Sequence, residues 1–202
     1  MATVVAKLGP EDHGQPMSWD EFLSGDYREG YHYELIDGRL YVSPWPTLQE
    51  NMVERWLFLK LENYSARRPI AINYVTSKAY VFVPGRADVT APEPDVSAYR
   101  KFPRERALKD LRWEEVSPVL VVEVLTSDDP HKDTVRNVAL YRQVPSIKEY
   151  WIIDAREDAA RPTMTVYRKH RGRWREPLLL QPGDTYTTPL LPGFKLLIDP
   201  TR

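Results

Sequence analysis

Between residues 47 and 65 the apolar side chains recur at helical spacing. Val53, Trp56, Leu57, Leu61 and Tyr64 form one stripe behind a Thr47 and Glu50 capping pattern, which predicts an amphipathic helix of several turns. Elsewhere the pattern is that of strands. YHYELIDGRLYV sets two short runs around Asp37-Gly38, a dipeptide suited to the positive backbone dihedrals of a tight hairpin. IAINYV and KAYVFV, rich in β-branched and aromatic residues, predict two further strands, and PDVSAY predicts a short one. SPVLVVEVL is continuously aliphatic except for one acid and is expected at the centre of a sheet. Asp129 and Pro130 then open a predicted helix with Val135, Val138 and Ala139 inward, ending near Arg142 before Pro145. IKEYWIID, TMTVYR, REPLLL and FKLLI return to strand character, with TMTVYR and REPLLL pairing across Arg171-Gly172. A helix between strands at 119–125 and 147–153 implies a parallel crossover, while the hairpins add antiparallel edges. The fold class expected is therefore mixed α/β.

Ser18 with Glu21 three residues on predicts a short capped helix stopped by Gly25. Residues 1–17 lack periodicity and carry Gly9, Pro10, Gly14 and Pro16, so they read as a lead-in arm before a single domain over 18–202. A length of 202 residues, 42% of them apolar, suffices for one substantial core. The 28 basic and 29 acidic side chains nearly cancel, so net charge neither demands nor excludes a nucleic-acid partner. The lack of cysteine excludes disulfides, a thiolate nucleophile and a Cys-ligated zinc site. No stretch approaches the roughly 18 uncharged residues of a membrane span, and a cytoplasmic protein without a membrane partner is expected. P-loop, dinucleotide and nucleophile-elbow motifs do not occur.

Candidate chemistry begins with Glu123, which lies inside the most apolar run. Strand alternation puts Val119, Val121, Glu123 and Leu125 on one face. A buried carboxylate there needs a metal, a cation, strong donors or solvent at a cleft; a structural ion pair or an exposed edge accounts for it equally. Asp95, just ahead of a predicted strand, supplies a second strand-end acid that could converge on the first, although a loop cap explains it too. Two such acids would suit Mg²⁺ or Mn²⁺ acting on a phosphodiester. His13, His32, His131 and His170 have no metal-ligand spacing. YRKHRGRWRE joins cations to Tyr167 and Trp174, the chemistry of a nucleic-acid contact or of a protected hairpin edge.

The combination YELIDGRLYVSP, PDVSAY, PVLVVEVLTS, a helix reaching Tyr141 and EYWIIDA resembles the Uma2 (DUF820) family of the PD-(D/E)XK nuclease-like superfamily over residues 18–198. The resemblance implies a restriction-endonuclease-like core, a central mixed sheet flanked by helices. It also implies a metal-dependent DNA endonuclease, with Asp95 and Glu123 as metal ligands and Glu34 near them. The chain departs from the pattern at three places. Leu125 stands where the simple E-x-K motif has lysine, and Asn137 stands where the helix-borne lysine of the family is expected. Leu48 replaces a histidine before the long helix and is expected to pack against it. Asp133, Asn137 and Tyr141 share one helix face at four-residue intervals, so Asn137 would line the site without lysine's charge, and Lys132 or Arg136 could compensate. A catalytically degenerate DNA-binding or protein-assembly module is the alternative expectation. Edge strands and apolar helices leave room for a homodimer.

Overall fold

A computed structural model of the chain describes residues 7–125 and 130–202. The short helix α1 (Trp19–Ser24) starts at Ser18, whose hydroxyl accepts from the Glu21 amide while the Glu21 carboxylate accepts from the Ser18 amide. Strands β1 (Tyr31–Ile36) and β2 (Arg39–Pro44) form an antiparallel hairpin. At its turn Asp37 and Gly38 have φ of 50° and 65°, and Arg86 and Thr90 hold the Asp37 carboxylate. The long helix α2 (Leu48–Arg67) follows, capped by Thr47 and Glu50. The central sheet then collects β3 (Tyr74–Thr76), β4 (Val96–Tyr99), β5 (Leu120–Leu125), β6 (Glu149–Asp154), β7 (Thr163–His170) and β8 (Arg173–Trp174) in that order, with β9 (Leu178–Leu180) also on β7. All neighbours are antiparallel except β5 and β6, which run parallel and are joined through helix α3 (Asn137–Gln143). A separate small pair, β10 (Thr185–Tyr186) and β11 (Leu196–Leu197), closes the chain.

Strand alternation divides the core between the two faces of this mixed sheet. Leu120, Val122 and Val124 point to α2 and cluster with Val53, Leu57 and Leu61. Val121, Leu125, Tyr150 and Ile152 point to α3 and cluster with Val138, Leu140 and Tyr141. Burying a side chain such as Leu57 or Leu61 stabilises the fold by roughly 1.5–3 kcal/mol, so the two apolar faces fix β5 as the central plank. A third cluster, Met17, Phe22, Tyr33, Leu35 and Leu40, anchors the hairpin.

Several local expectations differ from what the chain does. The predicted strand over 78–83 belongs to no sheet: the Val81 and Val83 amides donate to the Pro92 and Thr90 carbonyls, while Pro92 has no amide hydrogen to complete the ladder. Only Tyr74–Thr76 of the preceding run is strand, and Ile70 is exposed. Val135 and Ala139 face solvent instead of the core; Asp133, Asn137, Val138, Leu140 and Tyr141 are the buried positions. Leu48 does not pack and is exposed. The predicted helix start at Asp129 lies outside the described residues. Residues 7–17, read as a lead-in, are bonded along the hairpin, for example Gly14 to Leu40 and Met17 to Gly38. The basic hairpin β7–β8 sits toward the opposite end of β6 from Asp154, and its Trp174 faces the side chains of Arg142 and Lys169. Among the described residues, no helix is long and apolar enough to cross a membrane.

Candidate active site

Sheet register brings the two candidate acids together. Val96 of β4 lies opposite Val122 of β5, so the residue before β4, Asp95, lies beside Glu123. The backbone locks them reciprocally: the Asp95 amide donates to Glu123 Oε2 at 3.3 Å, and the Val124 amide donates to Asp95 Oδ2 at 2.6 Å. Asp95 thus stands at the end of its strand with its carboxylate fixed by the next strand.

The other oxygen of Glu123 is held from α3. Tyr141 OH and Asn137 Nδ2 each donate to Glu123 Oε1 at 2.9 Å, and Asn137 also donates to Asp133 Oδ1 at 2.9 Å. Tyr150 OH donates to the Asp133 carbonyl, tying the helix start to β6. Residues Lys132–Arg136 wind as a π-turn, with the Asn137 amide bonded to the Lys132 carbonyl. This wider turn re-aims its side chains, as π-bulges at functional sites commonly do. Arg136 reaches Glu34 of β1 at 2.6 Å and donates through Nε to Asn137 Oδ1 at 3.0 Å. The Glu93 amide holds the other Glu34 oxygen at 3.0 Å. Buried Glu34, Glu123 and Asn137 and half-buried Asp95 are therefore linked in one network.

The electrostatics are those of carboxylates short of positive charge. Burial pushes Asp95 up to about 8, reinforced by Asp133 and Glu54 against the pull of Lys132. Burial also raises Glu123 well above the usual carboxylate range, with Asp133 and Asp95 adding to it. Asp133 rises to about 6 by burial, opposed by Lys132. Burial works against ionisation of Glu34 too, but Lys132 and Arg136 overcome it and hold its carboxyl below the ordinary value. Lys132 is itself raised, because the surrounding acids outweigh its own burial.

These groups line a cleft of about 210 Å³ whose wall, among the described residues, carries seven carboxylates against two lysines, Lys78 and Lys132. That imbalance calls for a cation. No three His, Asp or Glu side chains converge as a ready metal-binding cluster among the described residues. A pair of carboxylates nonetheless suffices for Mg²⁺, which ordinarily takes one or two and completes its shell with water and substrate phosphate. The hard oxygen donors of Asp95 and Glu123 fit such an ion. Sequence reasoning missed Glu54, Glu93, His32, Lys78 and Trp45, all in this wall. His32 lies 3.3 Å from Glu93. Glu50 and Glu54, one helical turn apart behind the Thr47 cap, were the signal available; His32 stands on β1, and Trp45, Lys78 and Glu93 reach the wall through loops. Leu48, where the family resemblance leads to histidine, is absent from it.

Comparison with known proteins agrees with this architecture. The model of the Uma2 family, described as "Putative restriction endonuclease", matches residues 19–199. Among solved structures, one titled as a "putative nuclease belonging to DUF820" from Anabaena variabilis superposes with a TM-score of 0.65 at 20% identity, covering 91% of this chain and 96% of that one. No curated protein matches the chain.

Proposed function

The chain belongs to the Uma2 family, and from that premise and the geometry of its cleft we propose that it is a divalent-metal-dependent DNA endonuclease hydrolysing phosphodiester bonds. The observation that carries this reading is the reciprocal lock of Asp95 and Glu123 at adjacent strand positions, with Glu123 buried, Asp95 half-buried and both carboxyls raised. Asp95 and Glu123 would hold Mg²⁺ or Mn²⁺, which when bound supplies a more acidic water and Lewis-acid polarisation of the phosphate. The chain's own groups do the rest. Tyr141 and Asn137 orient Glu123 so that its remaining oxygen faces the cleft side. Asn137 positions without charge, and Lys132 supplies the positive charge that lysine at 137 would bring. Because the surrounding acids hold Lys132 protonated, it acts as a fixed charge toward phosphate oxygens and not as a proton donor at neutral pH. Glu34, neutralised by Arg136, buttresses the site and does not hold the ion.

One observation favours a second reading, a degenerate binding or assembly module. The Asn137 amide already satisfies Glu123 and Asp133 together, as a structural network would.

Manganese binding followed by electron paramagnetic resonance, alongside cleavage of single-stranded, duplex and branched DNA, separates the two readings. Asp95→Ala and Glu123→Ala are each expected to lose ion uptake and to lower cleavage at least about a hundredfold. Metal-dependent cleavage that persists unchanged in both variants rules out the assignment. A wild-type protein that neither takes up the ion nor cleaves supports the degenerate module.

A further inference from the structure

The acidic cleft has a neighbour. A second groove, of about 420 Å³, abuts it, and Trp45, Lys78, His32 and Glu93 belong to the walls of both. Its other wall includes Tyr27, Tyr31 and Tyr80, all half-buried. The volume lies within the roughly 300–1,000 Å³ of sites that engulf a small ligand, whereas the acidic cleft is smaller than that range.

Trp45 is held in place although 55% of its surface is exposed. Its indole N–H donates to the Tyr31 carbonyl at 2.9 Å, its amide donates to the Gly30 carbonyl at 3.0 Å, and Pro44 and Pro46 flank it. An exposed tryptophan alone means little. One fixed at both ends on the ridge between an aromatic groove and a carboxylate cleft presents a pre-ordered ring to a ligand. Lys78 lies 6.0 Å from the ring centroid, with a left-handed φ of 55° that side chains other than glycine rarely adopt. The ridge therefore carries an aromatic surface and an exposed ammonium side by side, the two chemistries of a nucleotide: a stacking base and its phosphate.

We infer that the groove beside the acidic cleft seats the bases of an unpaired nucleic-acid strand, with Trp45 as stacking platform and Lys78 on the adjoining phosphate. The inference rests on the nuclease reading and names its substrate form. In a duplex both faces of each base are already stacked, so aromatic walls reward only bases that are unpaired or splayed out. Lys78 offsets the acids of the cleft for the approaching backbone, and the groove's continuity with the cleft carries the next phosphate toward Asp95 and Glu123.

The test is fluorescence anisotropy of a short labelled oligothymidine and a hairpin duplex of the same length, with calcium present. The single strand is expected to bind at least about tenfold more tightly. Trp45→Ala should weaken the single strand about tenfold or more, leave the duplex unchanged, and be largely rescued by Trp45→Phe. Lys78→Gln should shallow the salt dependence of single-strand binding by about 0.7 in log–log slope, one phosphate contact. Equal affinity for the two forms, no binding of either, or a Trp45→Ala variant that binds the single strand like the wild type overturns the inference. The two proposals fail separately. Loss of cleavage in Asp95→Ala with normal strand binding in Trp45→Ala removes only the groove. A Trp45-dependent strand preference in a protein whose cleavage ignores Asp95 and Glu123 removes only the metal site.

Discussion

Replacing Arg136 by Met tests the network most directly, because it leaves Glu34 buried without its nearest cation. The pair is 2.6 Å apart, with side chains only 18% and 5% exposed, so it belongs with buried ion pairs and not with surface ones. Breaking a buried pair from one side costs about 3–5 kcal/mol, against about 0–1 kcal/mol for an exposed pair. Lys132 also faces Glu34 and compensates in part, which places the expected loss near the lower end, about 3 kcal/mol. For a chain of this size that corresponds to a fall in Tm of about 6–12 °C. Urea unfolding in the absence of divalent ions measures it. The double variant Arg136→Met/Glu34→Gln should recover most of the loss, since no buried charge is then left alone. The pH dependence follows from the lowered carboxyl of Glu34: its contribution is present above the unfolded value near 4.5 and is lost as pH falls through the folded one. The gap between wild type and Arg136→Met should therefore narrow in acid. A loss under about 1 kcal/mol, or a double variant whose cost is the sum of the singles, would refute the network as described.

Asn137→Lys places an ammonium where a neutral amide now bridges Glu123 and Asp133. Because Lys132 already supplies the positive charge, single-turnover cleavage by the folded variant should stay close to that of the wild type; a rise of about tenfold or more would show that charge limits the chemical step and refute that role for Lys132. At the far end of β6, Glu149 accepts from Trp151, Tyr186 and Thr188 and is raised above 4.5, chiefly by burial. A raised carboxyl stabilises the fold at low pH and loses that contribution as pH rises through its folded value. The difference in Tm between Glu149→Gln and wild type should accordingly become more positive as pH rises above the unfolded value of 4.5; a difference that falls would contradict the assignment.

Much of the fold was legible because local patterns agreed with the tertiary answer. The α2 stripe, the Asp37-Gly38 hairpin and the aliphatic β5 run each carried their own signal of period or turn chemistry. The failures have one common cause. Lys78–Val83 has strand composition, but whether it pairs depends on a partner segment broken by Pro92 and Pro94, which its own residues do not reveal. Val135 and Ala139 fit an α-helical inward face, yet the chain winds as a π-turn through Arg136, so the buried set moves to Asp133 and Asn137. The same rewinding explains why Arg136 reaches Glu34.

By itself, then, the sequence determined the order of elements and the choice of Asp95 and Glu123 as the acids to watch, because a charge inside an apolar run and an acid at a strand edge are anomalies visible one residue at a time. Only the tertiary structure decided what surrounds them. The β4–β5 register set Asp95 beside Glu123, the π-turn delivered Arg136 and Asn137, and loops far apart in sequence raised Trp45 and Lys78 on the ridge beside the cleft. Register, winding and loop placement are settled by where apolar faces bury against each other, a property of the whole chain that no single stretch of residues encodes.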